Sequence, residues 1–280
     1  MLYYTIDYVS IVPTILYDEV SPVAKVIAVT NQKGGVGKTT TAVNLSACLA
    51  EAGKHTLLVD LDPQGNATSG LGIDKHTLQG GTYDSLIGAM DMNDVIAETA
   101  VKKLFIAPAT MDLAGATVEL VAMEERESAL KKALINVRTT RGRAFDYILI
   151  DCPPSLDLLT INALVAADSV LIPVQCEFYA LEGLAQLTET VQAVALDMNA
   201  NLAVLGLLLT MYDGRTNLSL QVAEEVKKYF GDQVFRTIIP RNVRLGEAPS
   251  YGEPIITYDP HSKGATVYRK VAKEVIERVG

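Results

Sequence analysis

Residues Lys33, Gly34, Gly35, Val36, Gly37, Lys38, Thr39 and Thr40 stand directly after an apolar run at 26–30, and together they suit a loop that wraps a nucleoside triphosphate. Wrapping several negative charges takes backbone N–H groups that point inward with no side chains in the way, which Gly34, Gly35 and Gly37 provide. Lys38 supplies a point charge for the β and γ phosphates, and Thr39 a hydroxyl for Mg²⁺. Residues 39–50 read as a helix whose N-terminal dipole faces those phosphates. The spacing departs from G-x-x-x-x-G-K-[ST], because Gln32 stands where the first glycine belongs; the match is to K-G-G-x-G-K-T-T. The loop thereby carries a second lysine. Lys33 comes too early to duplicate the phosphate contact of Lys38, and a second buried cation on one phosphate group would be costly without matching charge.

The elements that must hold this loop alternate between strand-like apolar runs and helical patterns, the signature of a parallel sheet covered on both faces. Strands are expected at 25–30, 56–61, 104–107, 146–151, 169–174 and 203–210, with a short one at 234–239. Helices are expected at 39–51, 82–88, 112–121, 124–138, 156–166, 180–198, 217–230 and 263–278. The fold class is α/β: a single domain with a twisted, mostly parallel sheet flanked by helices on both faces. Ligands in such sheets bind beyond the carboxyl ends of the strands, where the loop at 31–39, Asp60, Asp62 and Asp151 all fall. Asp151 closes the apolar strand 147–150, the context of a carboxylate that holds Mg²⁺ through water.

Composition narrows the class. The 280 residues are 49% hydrophobic and 20% charged, ordinary for one domain with a large core. A net charge of -9 excludes a chain that is basic overall, so any nucleic-acid contact must come from a local patch. Cys48, Cys152 and Cys176 lie far apart with no C-x-x-C pair, and His55, His76 and His261 are scattered; they read as buried thiols and isolated imidazoles, not a metal site. No run reaches the length of a membrane span, and residues 1–23, with four tyrosines and no basic start, form an extension without an assigned role rather than a signal peptide. The remainder, 24–280, is expected to form the single domain that carries the phosphate loop.

The stretch 26–72, together with 146–154, 172–177 and 239–244, closely resembles the ParA/Soj chromosome and plasmid partition ATPases, within the wider deviant Walker A group that includes MinD. The likeness covers roughly residues 24–279. It implies ATP and Mg²⁺ as cofactors, with Asp62 positioning the attacking water and sharing in the metal shell, and Asp60 supporting that shell or the switch backbone. It implies that Lys33 reaches across a homodimer interface to the partner's nucleotide, so that Lys33, Lys38 and Asp62 form the catalytic set. Adenine contacts would come from the loops around Met211 to Asp213 and Pro240, Arg241 and Asn242. Also implied are DNA binding without sequence preference by the ATP-bound pair, a ParB-like centromere-binding partner that stimulates hydrolysis, and a cytoplasmic, nucleoid-associated location.

The DNA contacts are sought in the basic C-terminal third, where Lys227, Lys228, Arg236, Arg241, Arg244, Lys263, Arg269 and Lys270 face four carboxylates within 227–270. Arg241 and Arg244 lead, with Arg215 and Lys263 behind them. A second cluster, Lys131, Lys132, Arg138, Arg141 and Arg143, is taken as charge that complements the dipole of helix 124–138, with Glu127 and Lys131 paired at i,i+4. The alternative is a MinD-like membrane-positioning ATPase. It would need an amphipathic C-terminal anchor, but Glu274 and Glu277 dilute the basic face of the last helix, and no stable membrane association is expected. A cluster-carrying ATPase lacks its cysteine pair, and a small-molecule kinase lacks an evident acceptor site.

Overall fold

The computed structural model describes residues 24–177 and 180–279; the extension at 1–23 lies outside them. Seven strands form one sheet: β1 (Lys25–Val29), β2 (Thr56–Asp60), β3 (Ala97–Glu98), β4 (Leu104–Ala107), β5 (Tyr147–Asp151), β6 (Ser169–Gln175) and β7 (Ala203–Thr210), in the order β3-β4-β2-β5-β1-β6-β7. Only the two-residue β3 is antiparallel to its neighbour. The central strands TLLVD and YILID are buried at every position, as expected of parallel strands covered on both faces. Their register sets Asp60 directly beside Asp151 at the carboxyl end of the sheet.

Among the described residues twelve α-helices cover the faces: α1 (Lys38–Glu51), α2 (Asn66–Gly70), α3 (Thr82–Leu86), α4 (Met92–Val95), α5 (Leu113–Val121), α6 (Ala129–Ala133), α7 (Leu158–Ala166), α8 (Ala180–Asp197), α9 (Asn217–Phe230), α10 (Val243–Glu247), α11 (Ile255–Tyr258) and α12 (Lys263–Val279). One core lies between the sheet and α5, α7 and α9; the other lies between the sheet, α1 and α12. The helix α1 is buried from Thr41 to Ala50, because α12 closes over its outer side. The Tyr268 hydroxyl meets Thr41 Oγ1 at 3.3 Å, and Arg269 Nε pairs with Glu51 at 2.7 Å.

Two expected elements are corrected. The segment 234–239 is not a strand; it touches the sheet through isolated bridges, Leu207 with Val234 and Tyr212 with Pro240. The reason is Glu274, whose carboxylate takes the backbone N–H of Arg236 at 2.8 Å and of Thr237 at 3.1 Å, leaving them unavailable to a strand ladder. Helix 124–138 shrinks to a 3₁₀ turn and α6, because Glu125 (φ 52°) and Asn136 (φ 61°) adopt left-handed backbone before and after it. Arg138, Arg141 and Arg143 therefore lie beyond any helix, and the helix-dipole account fails for them. Lys132 pairs with Glu125, and Glu127 with Arg126, in place of Glu127 with Lys131.

Glu274 is 3% exposed and also accepts from Arg278 Nη2 at 3.1 Å. Truncating it would leave two part-buried backbone donors without their acceptor and take one acceptor from the Arg278 guanidinium, which keeps Leu205 O and Val234 O. Glu274→Ala should lower stability by about 2–4 kcal/mol in urea unfolding and loosen the turn leading to Pro240.

Candidate nucleotide and metal site

The loop between β1 and α1 is held open by its own backbone and clamped by side chains from neighbouring strands. Gly35 (φ 75°) and Gly37 (φ 89°) occupy left-handed backbone that a side chain would strain, and Gly37 is the residue from which α1 departs. Asn31 bridges the loop's entry, donating from Nδ2 to Pro173 O at 2.8 Å and accepting the Lys33 N–H at 3.0 Å. Thr210, at the end of β7, donates its hydroxyl to Val36 O at 2.8 Å. Asn44 ties Thr40 O to the Ile255 N–H, at 2.8 and 2.7 Å, and so fixes the first turn of α1. Sequence reading missed all three; each is a lone polar residue whose partner lies far along the chain.

Lys38 is 6% exposed, and its Nζ donates to Lys33 O at 3.1 Å. Burial pulls its pKa below the usual lysine value, while Asp151, Cys152 and Asp62 oppose the shift. Asp60 spends its oxygens on the following segment: Oδ2 accepts from Thr68 N and Oγ1 at 2.8 and 2.7 Å, and Oδ1 from Asp62 N at 3.2 Å. Asp62 in turn accepts the Gln64 N–H at 2.9 Å, and a Cβ on Gly65 would come within 2.6 Å of Ala109 O, so this turn has one arrangement.

Asp151 is different. It is fully buried, and neither of its carboxylate oxygens completes a hydrogen bond among the described residues. Burial and then the adjacent Asp60 carboxylate push its pKa well above the usual range, while the Thr39 hydroxyl and Lys38 pull the other way. A buried carboxylate left without a partner is rare in a folded chain and marks a place for a cation. Thr39, Asp151 and the nearby Asp62 fit Mg²⁺, a hard ion that takes one or two carboxylates and fills its shell with water and phosphate oxygens. Among the described residues no group of three or more His, Cys, Asp and Glu could hold a metal by itself.

The comparisons with known proteins agree with this geometry. The family model described as an AAA domain matches residues 24–204. The sporulation initiation inhibitor protein Soj of Bacillus subtilis is 62% identical over 251 residues, spanning 90% of this chain and 98% of that protein. The chromosome partitioning protein ParA of Myxococcus xanthus is 54% identical over 256 residues, spanning 91% of this chain and 89% of that protein. The chain belongs to the ParA/Soj family of partitioning ATPases. A crystal structure of cobyrinic acid a,c-diamide synthase from Mycobacterium smegmatis, with bound ADP and magnesium, matches with a TM-score of 0.79 at 38% identity, covering 92% of this chain and 96% of that one.

Of the other residues that the ParA/Soj resemblance singles out, Lys33 lies at the loop's outer edge with Nζ 3.8 Å from Glu177 Oε2, and Arg241 Nη2 lies 3.8 Å from the other oxygen of the same carboxylate. Met211, Pro240, Arg241 and Asn242 line a cavity of about 320 Å³ that opens beside Gly37 and Thr40, at the low end of the range of small-molecule sites. Asp213 is not among its lining residues; both its oxygens bind Arg215, at 2.7 and 2.8 Å, which holds the Asp213 carboxyl well below the usual range.

The basic C-terminal third is more compensated than its sequence suggests. Arg244 pairs with Glu247 and Asp259, Arg236 with Glu274 and Glu277, Arg269 with Glu51, and Arg241 with Glu177. Among the described residues Lys263 makes no ion pair and is exposed at the start of α12.

The orphaned carboxylate gives a test. Asp151→Asn removes the repulsion with Asp60, so without nucleotide the variant should melt at or above the temperature of the parent chain. The extra thermal stabilisation from ATP with Mg²⁺, read by the same melts, should be lost.

Proposed function

We propose that this chain is a Mg²⁺-dependent ATPase of chromosome or plasmid partition that pairs around ATP, grips DNA without sequence preference as the pair, and releases it on hydrolysis. The observation that carries the reading is the unpartnered Asp151 carboxylate beside buried Lys38 at the mouth of the glycine loop, in a chain 62% identical to Soj. The 38% likeness to an amide-forming synthase weighs less beside it.

Lys38 would neutralise the β and γ phosphates, with Gly34, Gly35, Val36, Gly37, Thr39 and Thr40 lending backbone N–H groups. Thr39 and Asp151 would hold Mg²⁺, with Asp62 in the same shell; the ion supplies charge neutralisation at the phosphate oxygens. Asp62 orients the attacking water, on a turn kept in place by Asp60. Phosphoryl transfer asks for positioning and charge, and this set provides both. The cavity beside Met211 and Asn242 takes the adenine.

Lys33 acts on the second chain. In the single chain it faces Glu177, an exposed ion pair worth about 0–1 kcal/mol, which a partner's triphosphate would readily displace. Hydrolysis then removes the group that held the homodimer together. Pairing also doubles a modest basic surface that includes Lys263, Arg241, Arg244 and Arg215, so a nucleotide switch becomes a DNA-binding switch through effective concentration. A ParB-like partner with a basic segment would accelerate the release, and the protein would sit on the nucleoid. A MinD-like lipid anchor finds less support: Val271 and Val275 of α12 are buried against the core, and no helix among the described residues is long and apolar enough to cross a membrane.

Sedimentation and DNA binding with ADP, with ATP, and with ATP on two variants test the scheme. Asp62→Ala with ATP should be a dimer on DNA, whereas Lys33→Ala should bind ATP with near-parental affinity and stay monomeric. Monomers of Asp62→Ala at saturating ATP would refute it. DNA affinity should fall with salt at a logarithmic slope of about -0.9 per phosphate contact, and Lys263→Ala should flatten that slope in the dimer.

A further inference from the structure

The end of the sheet opposite the phosphate loop holds a basic cavity that the reading above does not use. The parallel register sets Thr56, Leu104 and Tyr147, the first residues of β2, β4 and β5, side by side. Next to them the chain folds a tight hairpin, in which Thr139 N donates to Arg143 O at 2.8 Å, Gly142 N to Thr139 O at 2.7 Å, and Arg143 N to Thr139 Oγ1 at 3.1 Å. A cavity of about 460 Å³ lies there, lined by the cations Lys102, Lys103, Arg141 and Arg143 and floored by Leu104 and Phe105.

These cations are poorly compensated. Lys102, Arg141 and Arg143 form no ion pair among the described residues, and the Lys103 ammonium is held by Gly53 O at 2.8 Å. The carboxylate in the lining, Glu98, is engaged by the Thr140 hydroxyl at 2.5 Å. The nearby Asp146 is taken by His55, whose backbone N–H it accepts at 2.6 Å and whose Nδ1 it approaches at 3.7 Å. Arg143 and Lys103 both bear electrostatically on the His55 ring, which lines the same cavity. In a chain of net charge -9, four cations gathered around one concave surface with a single engaged counter-charge lack an internal explanation, since like charges brought together repel.

We propose that this cavity is a second binding site, for a small anion bearing two or more phosphate groups. Arginine forks match phosphate oxygens two at a time, and lysines add point charge. The volume lies within the range of about 300–1,000 Å³ typical of small-molecule sites, and the concave form with an apolar floor suits a compact ligand better than a duplex or a protein segment.

The test uses the full chain with Lys38→Ala, which disables the first phosphate site. It is titrated calorimetrically with sodium pyrophosphate and with ADP near physiological ionic strength, about 0.15 M, while the His55 ring signals are followed by NMR. Saturable binding of one equivalent that shifts the His55 signals is expected, and adding Arg141→Ala with Arg143→Ala should weaken it about tenfold or more. Both arginines are exposed, so circular dichroism and melting should stay parental and exclude a folding defect. Tighter binding of ADP would name a nucleotide as the source and tighter binding of pyrophosphate an inorganic phosphate chain; either supports the site. Absence of binding in Lys38→Ala, indifference to the arginine pair, unmoved His55 signals, or capture of oligonucleotide without pyrophosphate binding would overturn it.

Discussion

Asp60 and Asp151 end adjacent strands in direct register, both fully buried, and among the described residues Lys38 is the one buried cation near them. Burial raises the pKa of both; the Asp60 carboxylate raises that of Asp151 further, and Asp62 adds to that of Asp60. The fold resolves the conflict unequally. Asp60 is satisfied by Thr68 and the Asp62 N–H, which converts its charge into a rigid turn after β2. Asp151 receives no such help. The site is therefore electrostatically incomplete by construction, and a chain in that condition gains most from whatever brings positive charge to it.

The incompleteness can persist because everything around it is over-determined. The glycine loop cannot relax toward Asp151, since Asn31, anchored to Pro173 of β6, and Thr210 of β7 hold its amide and carbonyl groups, and Asn44 locks the first turn of α1 to the start of α11. The helix α1 itself is sealed under α12. Strain of this kind survives only where the surrounding structure outweighs it. The same frame explains why the loop from 234 to 240 is tied to α12 by Glu274: a ladder strand would fix it to the sheet alone, whereas the carboxylate fixes it to the helix that covers α1.

Contiguity decided what could be read from the sequence. The loop at 33–40 and the buried strands 56–60 and 147–151 carry their signal within a few consecutive residues, so the fold and the phosphate cradle were legible. The helices α2, α4, α10 and α11 span five residues or fewer, too short for a helical period to show. Much of the charge compensation was not legible, because it runs between distant segments: Arg269 finds Glu51, Arg236 finds Glu274 and Glu277, and Arg241 finds Glu177. A count of charges along 227–270 sees the arginines and misses these partners. Conversely, Arg141 and Arg143 looked like helix-end charge in sequence and stand in a hairpin without one.

Glu177 joins these strands of argument. It follows β6, and its two oxygens meet Lys33 and Arg241 at equal distances of 3.8 Å. Lys33 belongs to the glycine loop and Arg241 lines the cavity beside it, so one exposed carboxylate spans both halves of the candidate site. Contacts of that length between half-exposed groups are weak and screened by salt. They bias two cations toward the same carboxylate only slightly, and in the proposed function a triphosphate, with several charges at closer range, would displace them. In the proposed pairing the exchange is nearly cost-free for Lys33, and it frees Glu177 and Arg241 together. A neutral residue at 177 would leave Lys33 solvated in the single chain, and pairing would then have to order it from a wider range of rotamers, at an entropic cost of up to about 2 kcal/mol for a lysine. The carboxylate thus pre-orders the side chain for the surface on which it is to act.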